Sequence, residues 1–389
     1  MTMDFGTFEQ LKAFIDSVFE FIEDSTIPKP YISGVNSEPL DNTEERLITH
    51  IYDSYDKGKG TLIKTITADF LHLLDLLIPS PRFGNMFKEL IHLEWMEHRI
   101  KTNGPGKLYR DHILHCANVC WVGQRLIFDL EDPFYSAIRS NLEQILSPQC
   151  KNLLKNENQW QEFITITWYI TAILHDFGYP IELVQKKYLG DTLYASSKNY
   201  FQVKPLPQYF RKQFSHLIPL FQKQLRRIDN RLLKEPFYGS GKLHPIIGSL
   251  ELLHFLMDHT PKLSAERMMY HEIYQLAALG IFEHHKEGAI DFDLNPFGYI
   301  LALADTLHEW HRYVCIDPGR GATTKLKFLS PINKVSIRRK KPEVYHISFR
   351  LNPQHGKCET WEPKRFKESK QKELSRLRIK KGLPCFSLS

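Results

Sequence analysis

Between about residues 85 and 315 the sequence sets one apolar helical segment after another, and no alternating strand pattern interrupts them. The segments fall at 86–100, 111–130, 159–176, 214–234, 245–258, 265–285 and 296–313, each with apolar residues at spacings of three and four. This run predicts a mainly α, helical-bundle domain. Two more helices are expected upstream, at 7–24 and 61–78. Between them SYDKGKGT lacks the first Gly of a phosphate-binding GxxxxGK[ST] loop, so that loop is rejected. The stretch 177–243 is punctuated by Pro205, Pro207, Pro219 and Pro236 and is expected to be a partly irregular excursion suited to a lid.

After residue 330 the pattern changes. VSIRRKK and EVYHISFRLN alternate apolar and polar residues across a Lys-Pro turn, which predicts a hairpin, and PKRFKESKQKELSRLRIKK then reads as a basic amphipathic helix. Three segments result: an N-terminal helical region (1–84), the helical domain (85–329) and a small basic α+β appendage (330–389).

The chain has 389 residues, 42% of them hydrophobic and 25% charged, which supports a sizeable core and excludes a disordered class. The start MTMDFGTFEQLKAF is not a secretory signal, and no segment approaches the roughly 20 apolar residues of a membrane span. Cysteines at 116, 120, 150, 315, 358 and 385 form no CxxC pair, as expected of reduced core thiols. A cytoplasmic protein, away from membranes, is therefore expected. Net charge is +6, yet residues 334 to 381 hold 16 Lys and Arg against 5 Glu, a local excess of +11. The basic character belongs to this tail, which could attract a nucleic acid or a nucleotide effector. It could equally be the solvated face of a docked helix.

The sharpest local feature is His175-Asp176, where the apolar helix TITWYITAIL ends against Phe177 and Gly178. A carboxylate behind such a run is costly unless it is paired with a cation or a metal. Other segments also set His or Asp into apolar patterns. RDHILHCANVCWVG has His112 and His115 three apart, and KLHPIIGSLELL puts His244 before Pro245 at a helix start. LAALGIFEHHKEG ends in His284-His285, and NPFGYILALADTLHEW carries Asp305 inside an apolar run. Taken singly, each His reads as an ordinary core or surface histidine.

The order H, HD, H, HH, D on successive helices resembles the HD-domain superfamily of metal-dependent phosphohydrolases, over about residues 105 to 315. HCANV, ILHDFG and LALADTL carry the resemblance, and His244 with Pro245, Gly248 and the double His look like the binuclear branches, loosely like the HD-GYP phosphodiesterases. HHKEGAIDFD lacks the Gly-Tyr-Pro signature of that subfamily, and the Gly178-Tyr179-Pro180 present follows the doublet instead, so a cyclic dinucleotide substrate is not inferred.

The resemblance implies that His115, His175, Asp176 and Asp305 hold one metal, with Asp176 bridging to a second held by His244, His284 and His285. Five imidazoles, two carboxylates and no thiolate suit Mn, Fe, Co, Ni or Zn better than an all-oxygen Mg site. Asp176, His112 and Lys286 are the residues expected to take part in the chemistry. His112, one turn from His115, could instead be a ligand's hydrogen-bond partner, a phosphate contact or the first ligand itself. Arg110, Lys186, Lys187, Lys242 and Lys286 flank the ligands and could neutralise phosphate oxygens.

The expected activity is hydrolysis of a phosphorylated small molecule, a nucleotide or a nucleic-acid phosphate. Two rivals remain: a diiron oxygenase on the same fold, and a non-catalytic binding protein working through its basic tail. Substrate, metal and self-association stay open.

Overall fold

The computed structural model describes residues 3–4, 40–53, 58–78, 80–102, 111–129, 134–184, 244–258, 265–284, 289–308, 314–315, 328–329, 332–341, 344–351, 363–378 and 385–388. Helical residues far outnumber extended ones among these, so the fold is mainly α. The helices expected at 7–24 and 214–234, and residues 185–243 of the Pro-punctuated excursion, lie outside the described residues. No helix among the described residues is long and apolar enough to cross a membrane.

In chain order the helices are α1 (Asn42–Asp53), α2 (Lys59–Leu77), α3 (Pro81–Thr102), α4 (His112–Phe128), α5 (Phe134–Ile145), α6 (Pro148–Leu153), α7 (Glu157–Leu174), α8 (Tyr179–Val184), α9 (His244–Asp258), α10 (Ala265–Glu283), α11 (Pro296–His308) and α12 (Pro363–Leu374). The strands are β1 (Met3–Asp4), β2 (Ile290–Asp291), β3 (Val314–Cys315), β4 (Phe328–Leu329), β5 (Ile332–Lys341), β6 (Val344–Leu351), β7 (Leu377–Arg378) and β8 (Cys385–Leu388). The chain packs as two compact units, one of residues 1–25, 34–134 and 302–389, the other of 26–33 and 135–301.

In the first unit α1, α2 and α3 pack against one another and α3 against α4. Asp41 starts α1, its Oδ1 accepting from the N–H of Thr43 (2.7 Å) and Glu44 (3.0 Å), while Glu44 returns a bond to the Asp41 N–H. Those backbone donors, Glu44 first, hold the Asp41 carboxyl below its ordinary range. The expected hairpin is present: β5 and β6 pair antiparallel, with Val335 opposite Phe349 and Ile337 opposite Ile347. β1 adds to β5, and β8 adds to β6 in parallel, giving the order β1-β5-β6-β8. These outer strands were not anticipated, because two and four residues carry no readable period. The basic helix is α12, whose Glu373 accepts from Lys370 (2.8 Å) and from Thr306 of α11 (3.3 Å).

The second unit is built on α7. It opens with a reciprocal cap: the Gln159 N–H donates to Asn156 Oδ1 (3.0 Å) and the Asn156 N–H to Gln159 Oε1 (3.3 Å). From Glu162 to Leu174 every residue is buried, which makes α7 a central helix rather than a surface one. Its interior threonines return their hydroxyls to the preceding turn, Thr167 to the Phe163 carbonyl and Thr171 to the Thr167 carbonyl, both at 2.7 Å. α10 packs on α7 and α9, and α9 on α8. Asn295 caps α11, accepting from the Gly298 N–H (2.8 Å) ahead of Pro296.

Cys116, Cys120 and Cys150 are buried, as expected of core cysteines. Burial pushes the Cys120 and Cys150 thiols up, which keeps them unreactive.

Candidate metal centre

The site begins with two helix ends that use the same local device. α7 ends at Leu174 and α10 at Glu283, and in each case the next residue is a histidine. His175 turns Nδ1 to the Ala172 carbonyl (2.6 Å), and His284 turns Nδ1 to the Ile281 carbonyl (2.5 Å). Each ring thereby satisfies a carbonyl that the helix end would leave without an intrahelical partner. A carbonyl only accepts, so Nδ1 carries the hydrogen. In the neutral ring Nε2 is then the bare acceptor, the atom that binds metal.

His244 reaches the same state from the other direction, at a helix start. Its Nδ1 and its backbone N–H both donate to Oε2 of Glu182 on α8, at 2.7 Å each. Glu182 is 5% exposed, and this pair of bonds accounts for one of its oxygens. The carboxylate fixes the ring's orientation and tautomer.

These rings converge on one carboxylate. Asp176 Oδ1 lies 3.5 Å from His244 Nε2 and 3.7 Å from His175 Nε2. The His175 and His284 rings are 5.4 Å apart between centroids, and those of His244 and His284 5.8 Å. Asp176, His244 and His284 each offer a ligand atom, and these atoms lie within 4.8 Å of one another. All four residues are buried, Asp176 at 7% exposure. The arrangement turns acceptor atoms toward one another in a dry place, and a cation among them relieves that repulsion. A separation of 3.5 Å is what two ligands about 2.0 to 2.2 Å from one ion require at a near-tetrahedral angle.

Glycine makes the convergence sterically feasible. A Cβ on Gly178 would sit 2.2 Å from the His244 carbonyl oxygen and 2.8 Å from its Cα, so only Gly lets the turn after Asp176 lie against the start of α9. At Gly248, one turn into α9, a Cβ would meet the Leu174 carbonyl at 3.2 Å.

The other unit holds a second pair. His115 on α4 points Nε2 at Asp305 Oδ1 on α11, at 3.0 Å, and its Nδ1 lies 2.7 Å from His308 Nδ1. One of these two rings donates and the other accepts, so the tautomers of His115 and His308 are tied to each other. All three side chains are buried. His308 lies three residues after Asp305 on the same helix, and its ring is the hydrogen-bond partner of His115.

His112 is buried at the start of α4, one turn before His115. Arg110, Lys186, Lys187, Lys242, His285 and Lys286 lie outside the described residues. The sequence reading missed Glu182; its one signal is a single carboxylate within the short segment YPIEL, six residues after Asp176.

No protein-family model, curated protein or solved structure matches this chain.

Proposed function

We propose that this chain is a metal-dependent phosphohydrolase of the HD type, acting on a nucleotide or nucleic-acid phosphate. The observation that carries the reading is the buried cluster of Asp176, His244 and His284, in which the Nδ1 atoms are committed to Glu182 and to the Ile281 carbonyl. Nitrogen and oxygen donors without a thiolate suit Mn, Fe, Co, Ni or Zn. On the family resemblance, His115 and Asp305 serve a second ion.

A divalent ion held there supplies Lewis acidity toward a phosphoryl oxygen and lowers the pKa of a water. The chain's own residues prepare that chemistry. Glu182 and the two carbonyls hold the imidazoles in the metal-binding tautomer, and burial strengthens every charge interaction at Asp176. Contacts to phosphate oxygens are assigned to His112, Arg110, Lys186, Lys187, Lys242 and Lys286 from their sequence positions beside the ligands.

The test is to strip the purified chain of metal, reload it with Mn, Co, Zn or Fe, and assay it against a panel of nucleotides with and without oxygen. Metal-dependent release of phosphate or nucleotide without oxygen is expected. Turnover only with iron and oxygen would mean an oxygenase, and a chain that takes up no metal would overturn both enzyme readings.

A further inference from the structure

Glu94 lies in the interior of α3 and is fully buried. A carboxylate taken from water costs several kcal/mol unless donors surround it. Three do. The Tyr52 hydroxyl of α1 donates to Oε1 at 2.5 Å, and the backbone N–H groups of His112 and Ile113 donate to Oε2 at 3.0 Å each.

Those two N–H groups open α4, where a helix leaves its first donors without intrahelical partners and carries a partial positive charge. The residue placed to cap them, Asp111, makes no side-chain capping bond. The carboxylate that accepts these two N–H groups comes from α3, 18 residues upstream of His112.

His115 follows one turn into α4, so the placement of its Nε2 against Asp305 depends on how that first turn is held. Resting on the metal reading above, we propose that Glu94, itself held by Tyr52, is the positioning residue for the α4 metal ligand, so that the N-terminal helices control metal affinity at His115 and Asp305. One consequence concerns substrate. With its first amides occupied by a carboxylate, the α4 N-terminus is not a phosphate cradle, and any phosphate contact in this region falls to side chains.

The experiment titrates the metal-free full-length chain with cobalt(II), following the visible absorption of the bound ion and the thermal midpoint of the metal-free protein. Two binding steps are expected, and Asp305→Ala identifies the one that belongs to His115 and Asp305. Glu94→Ala should weaken that step by about tenfold or more, the range seen when a ligand's supporting partner is removed. Glu94→Gln keeps the shape and the acceptor without the charge and should recover part of the loss. Tyr52→Phe, which removes one hydroxyl, should weaken the same step by about twofold. The other step should stay unchanged in all three.

If Glu94→Ala does not fold, Glu94→Gln and Tyr52→Phe decide. A lowered midpoint with that cobalt step at wild-type strength overturns the inference, because Glu94 would then only support the fold. Equal weakening of both steps overturns it as well. Absence of cobalt uptake by the wild type, or an Asp305→Ala titration like the wild type's, removes the metal reading itself and this inference with it.

Discussion

A single oxygen of Glu182, Oε2, accepts both the backbone N–H and the ring Nδ1–H of His244, at 2.7 Å each. The backbone bond places the residue and the ring bond sets which nitrogen faces Asp176. Glu182→Ala removes both, and metal affinity should fall by about 10- to 100-fold, the usual cost of losing a ligand's carboxylate partner. Glu182→Gln retains an acceptor without the charge and should fall less. Competition with a chromophoric chelator measures both; wild-type affinity in Glu182→Ala would show that the carboxylate does not tune the ligand.

Asp176 Oδ1 faces Nε2 of His244 at 3.5 Å and of His175 at 3.7 Å. Asp176→Ala should remove metal and turnover together while the protein stays folded. Metal content by elemental analysis, circular dichroism and the nucleotide assay decide it. Full metal content with full turnover would show that Asp176 is no ligand.

Gly178→Ala adds a methyl 2.2 Å from the His244 carbonyl oxygen, and the obstacle is backbone rather than a flexible side chain. Relief requires the turn and the α9 start to separate, at a cost of about 1 to 3 kcal/mol or more. The thermal midpoint should fall, and metal affinity with it, because Asp176 and His244 lie on the two parts forced apart. An unchanged midpoint would show that this close approach is not required.

The paired strands β5 and β6 contain Lys334, Arg338, Arg339, Lys340, Lys341 and Arg350 and no Asp or Glu. Neutralising Arg338, Arg339, Lys340 and Lys341 should weaken binding to a polyanion such as single-stranded nucleic acid. The slope of log affinity against log salt should fall by about 0.7 for each phosphate that the variant no longer neutralises. Turnover of a small artificial phosphodiester should stay nearly constant. Equal loss on both substrates would mean that this strand pair helps to build the active site.

What the sequence determined by itself is everything that depends on a few neighbouring residues. Helical periodicity marked α2, α3, α4, α7, α9, α10 and α11 close to their observed bounds, and alternation about a Lys-Pro turn marked the β5-β6 hairpin. Asn295 before Pro296 was legible as a helix start for the same reason. So were His175 and His284, because a histidine directly after an apolar helix can bond the carbonyl three residues back without help from the rest of the chain.

Only the tertiary structure decided which groups hold His244, His115 and the α4 start from outside their own helices. Glu182 meets His244 across 62 residues, His308 meets His115 across 193, and Glu94 meets the α4 start across 18. Nothing in the sequence distinguishes Glu94 from Glu89 on the same helix, since both are single acids in a mixed run. Packing makes the difference: Glu94 is fully buried and Glu89 is exposed. A carboxylate gains a partner by being desolvated against a particular donor, and which donor that is depends on how helices far apart in sequence come to lie side by side.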